Sequence, residues 1–312
     1  MTSVLGIVLP VFALVLAGWL VRRFDVIGDD AVREFNTFVV WLALPAVLFL
    51  VIAQSSWHQL WQPGFVAVFG LSCAIVYAVT EIIHGLRSGY DTDGPLLGLA
   101  TSYPNTAYLG LPLLIAALGP PGATLTLIAT IFIACVLLTG AIVVIELRLH
   151  AGSHPLRIAV RVAKSLATNP LIIAPIAGAF FPLTGLALPH PLEVFLKLLG
   201  AAASPVALVA LGVFLAQKRP NETPLGTSFT TVLVALKLIV QPALAWALGT
   251  YVFALPAQTL HAAVLLAMLP TGTGPFMLAG FYRRDPGATA RVILITTVAS
   301  IVTISGYLAW IG

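Results

Sequence analysis

Two short runs hold the groups best suited to recognise a ligand in an otherwise apolar chain. The first is Ser102-Tyr103-Pro104-Asn105-Thr106-Ala107-Tyr108-Leu109-Gly110-Leu111-Pro112, and the second is Pro270-Thr271-Gly272-Thr273-Gly274-Pro275. Proline removes a backbone donor and clashes with the preceding turn, so each run breaks a helix. In hydrocarbon the freed carbonyls find no water, and such breaks are tolerated where they face protein or a wet cavity. A helix restarting after a break presents unpaired N–H groups and about half a positive charge. Restarts near Asn105-Thr106 and Gly274-Pro275 therefore favour an anion, most simply a carboxylate. Asn105, Thr106, Thr271 and Thr273 can add side-chain bonds, Tyr108 can close the pocket, and Gly272 and Gly274 let backbone approach the ligand. With Pro104 and Pro270, which set the breaks, these nine residues form the predicted substrate site.

Lys237 is the other residue that needs a chemical reason. It stands about nine residues into an apolar run, and a lysine at the centre of a membrane helix costs roughly 2.5–3.5 kcal/mol. It should face the interior, yet Glu81, Glu146 and Glu193 all lie near run ends, so no acid at its depth is available to pair with it. Three roles stay open: a fixed positive charge near the two breaks, a neutraliser of the carbonyls freed by them, or a group that titrates as the protein works. A lysine that only holds helices together is the plainer alternative. Gln241, followed by Pro242, lies one turn further on and shares the assignment.

Other chemistries find no support. The six histidines sit at or near connectors without metal-ligand spacing, so no metal or cofactor is expected. Cys73 and Cys135 fall inside apolar runs and read as small core residues. There are no paired intramembrane carboxylates, no HExxH and no GxSxG, which argues against an enzyme.

The elements that position these residues are membrane helices. Of 312 residues 60% are hydrophobic and 8% charged, with formal net charge +4 and mean hydropathy +1.05, far from the roughly 45–50% apolar and 25% charged balance of soluble domains. Apolar runs near the length that crosses a bilayer recur at 4–21, 35–53, 64–83, 95–118, 124–147, 170–188, 191–216, 229–252, 258–282 and 292–310. Arg22-Arg23 follow the first run, whereas a signal peptide carries its charges before it, so an uncleaved helix is expected. The connectors after odd-numbered runs hold nearly all the Lys and Arg. By the positive-inside rule this gives ten spans with both termini extracytoplasmic. Between the fifth and sixth spans, Arg148, His150, His154, Arg157, Arg161 and Lys164 suggest an amphipathic surface helix, and Asn169-Pro170 reads as the N-cap and first residue of the sixth span.

An internal repeat completes the pattern. Residues 1–150 carry a proline in their second span (Pro45) and a polar break in their fourth; residues 151–312 carry Pro205 and the second polar break at the matching places. Five is odd, so the two repeats cross the membrane in opposite senses, as in many secondary transporters. The expected fold is an all-α membrane protein: ten transmembrane helices in two inverted five-helix repeats, with broken helices four and nine crossing.

The run Asn36-Thr37-Phe38-Val39-Val40-Trp41-Leu42-Ala43-Leu44-Pro45-Ala46, the run Pro104 to Pro112, Lys237-Leu238-Ile239-Val240-Gln241-Pro242, and the segment from Leu269-Pro270 through Arg291 resemble the auxin efflux carrier family. The resemblance covers essentially the whole chain. It implies that spans one, two, six and seven form a scaffold that also makes a homodimer, while spans three to five and eight to ten move as a transport part. The family's crossover maps onto Pro104-Asn105 and Pro270 to Pro275. Thr271 stands where the plant pattern has asparagine, and the long plant cytoplasmic loop is missing. Both departures point away from auxin; the malate, malonate and similar carboxylates ascribed to bacterial relatives fit an anion site. The expectation is a secondary carrier of a small organic anion in a bacterial inner membrane, working by elevator-like alternating access, with lipid as its surroundings and no nucleic-acid partner. A membrane sensor built on a transporter-like bundle is the rival, although it would normally carry a cytoplasmic signalling domain.

Overall fold

In lipid a chain must satisfy its backbone bonds within itself, which long apolar runs do as helix. The computed structural model, which describes residues 4–28, 30–55, 61–150, 160, 163–164, 166–217 and 227–311, is helical throughout those residues, with one isolated β-bridge and no strand. In chain order the helices are α1 (Val4–Arg23), α2 (Ala31–Ala53), α3 (Pro63–Ser88), α4 (Asp93–Ser102), α5 (Thr106–Leu118), α6 (Pro120–Leu149), α7 (Pro170–Thr184), α8 (His190–Ala216), α9 (Ser228–Val252), α10 (Ala257–Met268), α11 (Gly274–Phe281) and α12 (Gly287–Ile311). Six of these, α2, α3, α6, α8, α9 and α12, are long and apolar enough to cross a membrane. The spans expected at 95–118 and 258–282 are each two shorter helices, α4 with α5 and α10 with α11. Asn169 caps α7 as expected, its side chain accepting the Leu171 N–H at 3.0 Å. Most of the predicted surface helix, including Arg157 and Arg161, lies outside the described residues.

The prolines explain several local departures from regular helix. Short π-helical segments at Val39–Ala43, Thr106–Gly110 and Leu236–Val240 each end two residues before a proline, namely Pro45, Pro112 and Pro242. Widening the turn relieves the clash of the ring with the preceding turn. In α8 the regular hydrogen-bond ladder is instead interrupted by a turn at Ala202, whose N–H donates to the Leu199 carbonyl at 3.3 Å, ahead of Pro205.

Helices in lipid associate through close packing and small residues, because tails and side chains are equally apolar. α1 packs along the second half of α8, and α7 along the second half of α2. A Cβ at Gly18 would lie 2.1 Å from the Val209 carbonyl oxygen, one at Gly212 1.9 Å from that of Val15, and one at Gly178 2.5 Å from that of Phe49. Only glycine permits these contacts. The remaining helices form a second group: α3 on α4, α9 on α10, α6 on α5 and α10, and α12 on α4 and α9. Its core includes the stacked rings of Phe65 and Phe69, with Phe132 edge-on. Ile176, Leu183, Leu198, Val302 and Trp310 stay outward-facing, as lipid contact demands.

The two ends of the bundle differ in charge. At one, Glu81 pairs with Arg148, Arg284 grips Asp93 through two 2.7 Å bonds, Tyr282 donates to Glu146 at 2.9 Å, and Arg87 lies over the Phe229 ring. At the other, Gln54 donates to Glu193 at 2.9 Å, Lys197 pairs with Glu193, and Gln258 donates to the Leu118 carbonyl. The first end joins connectors that follow odd-numbered spans, the second those that follow even-numbered ones.

Candidate functional site

The two broken runs meet each other. Pro104 and Thr271 form an antiparallel bridge, in which the Asn105 N–H donates to the Pro270 carbonyl at 2.8 Å and the Gly272 N–H to the Tyr103 carbonyl at 2.9 Å. Buried backbone groups must be paired, and each break leaves carbonyls to account for. Ala100 would normally accept from residue 104, but that residue is proline; the Thr271 hydroxyl donates to it instead at 2.6 Å. The Thr271 N–H, the regular partner of Ala267, turns to Thr296 Oγ1 at 3.1 Å. Lys237 Nζ then supplies the Ala267 carbonyl at 2.8 Å, and Gln241 Nε2 approaches that of Ser102 at 3.4 Å.

This accounting divides the predicted site residues in two. Thr271, Lys237 and Gln241 show no exposure and lie behind the bridge, with polar atoms occupied by the freed backbone. Pro270 is engaged through its carbonyl. In front of the bridge, Pro104, Asn105, Thr106, Tyr108, Gly272, Thr273 and Gly274 line a cavity of about 60 Å³. Both restarting helices, α5 at Thr106 and α11 at Gly274, begin at its wall; the Thr106 N–H donates to the Pro104 carbonyl at 2.9 Å and Pro275 has no N–H, so the remaining N–H groups of each first turn are the ones without an intrahelical partner. The side chains of Asn105 and Thr273 make no hydrogen bond among the described residues, although Asn105 is only 8% exposed.

Three further residues complete the wall: Tyr103, Thr130 and Ser204. Thr130 Oγ1 lies 2.8 Å from Thr106 Oγ1, and the Ser204 N–H donates to Tyr108 Oη at 3.1 Å. Tyr103 covers the glycines so closely that a Cβ at Gly274 would be 2.8 Å from its Cζ. Thr130 stands one turn after Thr126 on α6, a threonine pair in an apolar helix from which that wall could be read, whereas Ser204, flanked by alanine and proline, gives no such signal. Leu44, Val47 and Leu48 of α2 and Ala203 of α8 form the opposite wall.

A larger cavity of about 530 Å³ shares Val47, Ala107, Tyr108 and Thr130 with the first and reaches Gln54 and Lys197. The pocket therefore opens towards the end of the bundle that holds Glu193 and Lys197. At the ionic end, burial pushes the Asp91 carboxyl up, but hydrogen bonds from His84 and from the Asp93 and Gly94 N–H groups outweigh it and hold the carboxyl below the ordinary aspartate range. The Asp93 carboxylate pushes Arg284 up in the same way. Among the described residues no cluster of three His, Cys, Asp or Glu side chains could hold a metal ion.

A membrane transport protein family model matches residues 3–308. A Rhizobium meliloti protein named "Putative malonate transporter" is 30% identical over 312 residues, covering 99% of this chain and 96% of its own. The Escherichia coli transporter YfdV is 24% identical, covering 97% and 96%. Auxin efflux carrier component 5 of Arabidopsis thaliana is 24% identical, covering 98% and 96%.

Proposed function

The chain belongs to the membrane transport protein family that includes the auxin efflux carriers, and from that premise we propose that it is a secondary carrier of a small organic anion, with a carboxylate as substrate. The observation that carries this reading is the pocket in front of the bridge: two helix N-termini, an unbonded amide at Asn105 and an unbonded hydroxyl at Thr273 converge on one cavity. Together the two termini offer about one positive charge. The name of the Rhizobium meliloti relative favours a short dicarboxylate such as malonate.

The ten-span inverted-repeat reading has physical support in the packing. Under an operation that maps each span onto the one five places later, α1 on α8 exchanges with α7 on α2, and both pairs are seated glycine on carbonyl. The same operation exchanges the two breaks, which bridge to each other. The concentration of Arg at one end favours that end as cytoplasmic, so the opening beside Lys197 is extracytoplasmic.

The pocket lies between α2 and α8 on one side and the broken helices on the other, at the seam of the scaffold and transport parts. Movement of the broken-helix group along that seam would carry the anion from one face to the other, which is elevator-like alternating access. Homodimerisation through the scaffold belongs to the same proposal. The test is flux of labelled malonate and related carboxylates into proteoliposomes. Saturable uptake supports the carrier, whereas saturable binding without flux of any carboxylate identifies a sensor.

A further inference from the structure

Lys237 has two acceptors, and neither is acidic. Its Nζ donates to Gln241 Oε1 at 2.6 Å and to the Ala267 carbonyl at 2.8 Å, while Gln241 Nε2 faces Cys73 Sγ at 3.2 Å and the Ser102 carbonyl at 3.4 Å. Ser102 is the last residue of α4, and Ala267 the last but one of α10. The lysine–glutamine pair thus spans the C-terminal ends of both helices that enter the bridge. Each such end carries about half a negative charge, so two together match one ammonium. Unwound carbonyls and half-helix C-termini are also the groups with which membrane carriers hold coupling cations.

We propose that Lys237 is a tethered cation: its ammonium occupies a cation site formed by the α4 and α10 C-termini, and Gln241 relays that charge to the Ser102 carbonyl. The four helix ends at the bridge then divide by sign. The two N-termini face the pocket and a mobile anion; the two C-termini face the opposite side and a cation that never leaves. This goes beyond the carrier reading and does not depend on which anion is bound, because the site can be tested without substrate.

Lys237→Ala deletes three methylenes and the ammonium, the outline of n-propylammonium, and leaves the carbonyls in place. Purified wild type and Lys237→Ala are melted in the chlorides of sodium, n-propylammonium and N-methylglucamine at equal ionic strength. The wild type is expected to melt at the same temperature in all three. Lys237→Ala is expected to melt about 5 °C or more lower in N-methylglucamine and to regain most of that loss in sodium or n-propylammonium, since a ligand of the native state raises its stability. A variant that melts alike in every salt overturns the proposal, and so does a wild type raised selectively by sodium. Should Lys237→Ala not yield folded protein, Lys237→Met keeps the volume without the donors; a Lys237→Met protein as stable as wild type overturns the proposal, and one clearly less stable supports it.

Discussion

Replacing Thr271 by valine separates a residue that braces the bridge from one that holds the substrate. Valine keeps the shape of threonine and removes one hydroxyl. That hydroxyl is the donor to the Ala100 carbonyl at 2.6 Å, which Pro104 cannot supply. Both groups are inaccessible to water, so the carbonyl is left unpaired at a cost of about 1–3 kcal/mol. At roughly 2–4 °C per kcal/mol for a chain somewhat shorter than this one, the melting temperature falls by about 2–12 °C. Affinity should hardly move, because Thr271 does not line the pocket; a change within about threefold is under 1 kcal/mol. Thermal melting and malonate titration on one preparation measure both. Unchanged melting with binding weakened tenfold or more would refute the division of the site.

Asn105→Ala should do the reverse: its amide bonds no protein group, so melting stays near wild type, while a lost hydrogen bond to a charged guest, about 1.5–3 kcal/mol, weakens binding roughly 10- to 150-fold by titration. Gly274→Ala drives a methyl into the Tyr103 ring, and overpacking of about 1–3 kcal/mol lowers the melting temperature by about 2–12 °C; Tyr103→Ala in the same chain should recover part of it, and simple additivity of the two losses would count against the contact. The depressed Asp91 carboxyl stabilises the fold fully above the ordinary aspartate value of about 3.9 and loses that effect as the pH falls below it. Asp91→Asn should flatten the melting temperature over that acid window, which a pH series of melts detects.

The membrane class of the protein and the position of its candidate site are readable from composition, charge alternation and the prolines, because lipid leaves a chain so few solutions. Helices occur where apolar runs predict them, and the two breaks that the repeat singles out do touch. What one sequence cannot tell is which polar side chains near a break serve the ligand and which serve the backbone. Thr271 and Asn105 look alike as polar residues beside a proline, yet only the three-dimensional path shows that Pro104 leaves the Ala100 carbonyl for Thr271 to satisfy. Lys237 is similar: its distance in sequence from Ala267 hides the hydrogen bond between them. Ser204 reaches the wall through α8, 96 residues from the Tyr108 hydroxyl that it bonds.

The claim that an anion rests on two helix N-termini is tested most directly by locating one. Crystals soaked in bromomalonate, examined at the bromine absorption edge, should show an anomalous peak inside the cavity bounded by Asn105, Thr130 and Thr273. A peak only in the ionic pocket lined by His84 and Arg291 would contradict the account and move the site to the other end of the bundle.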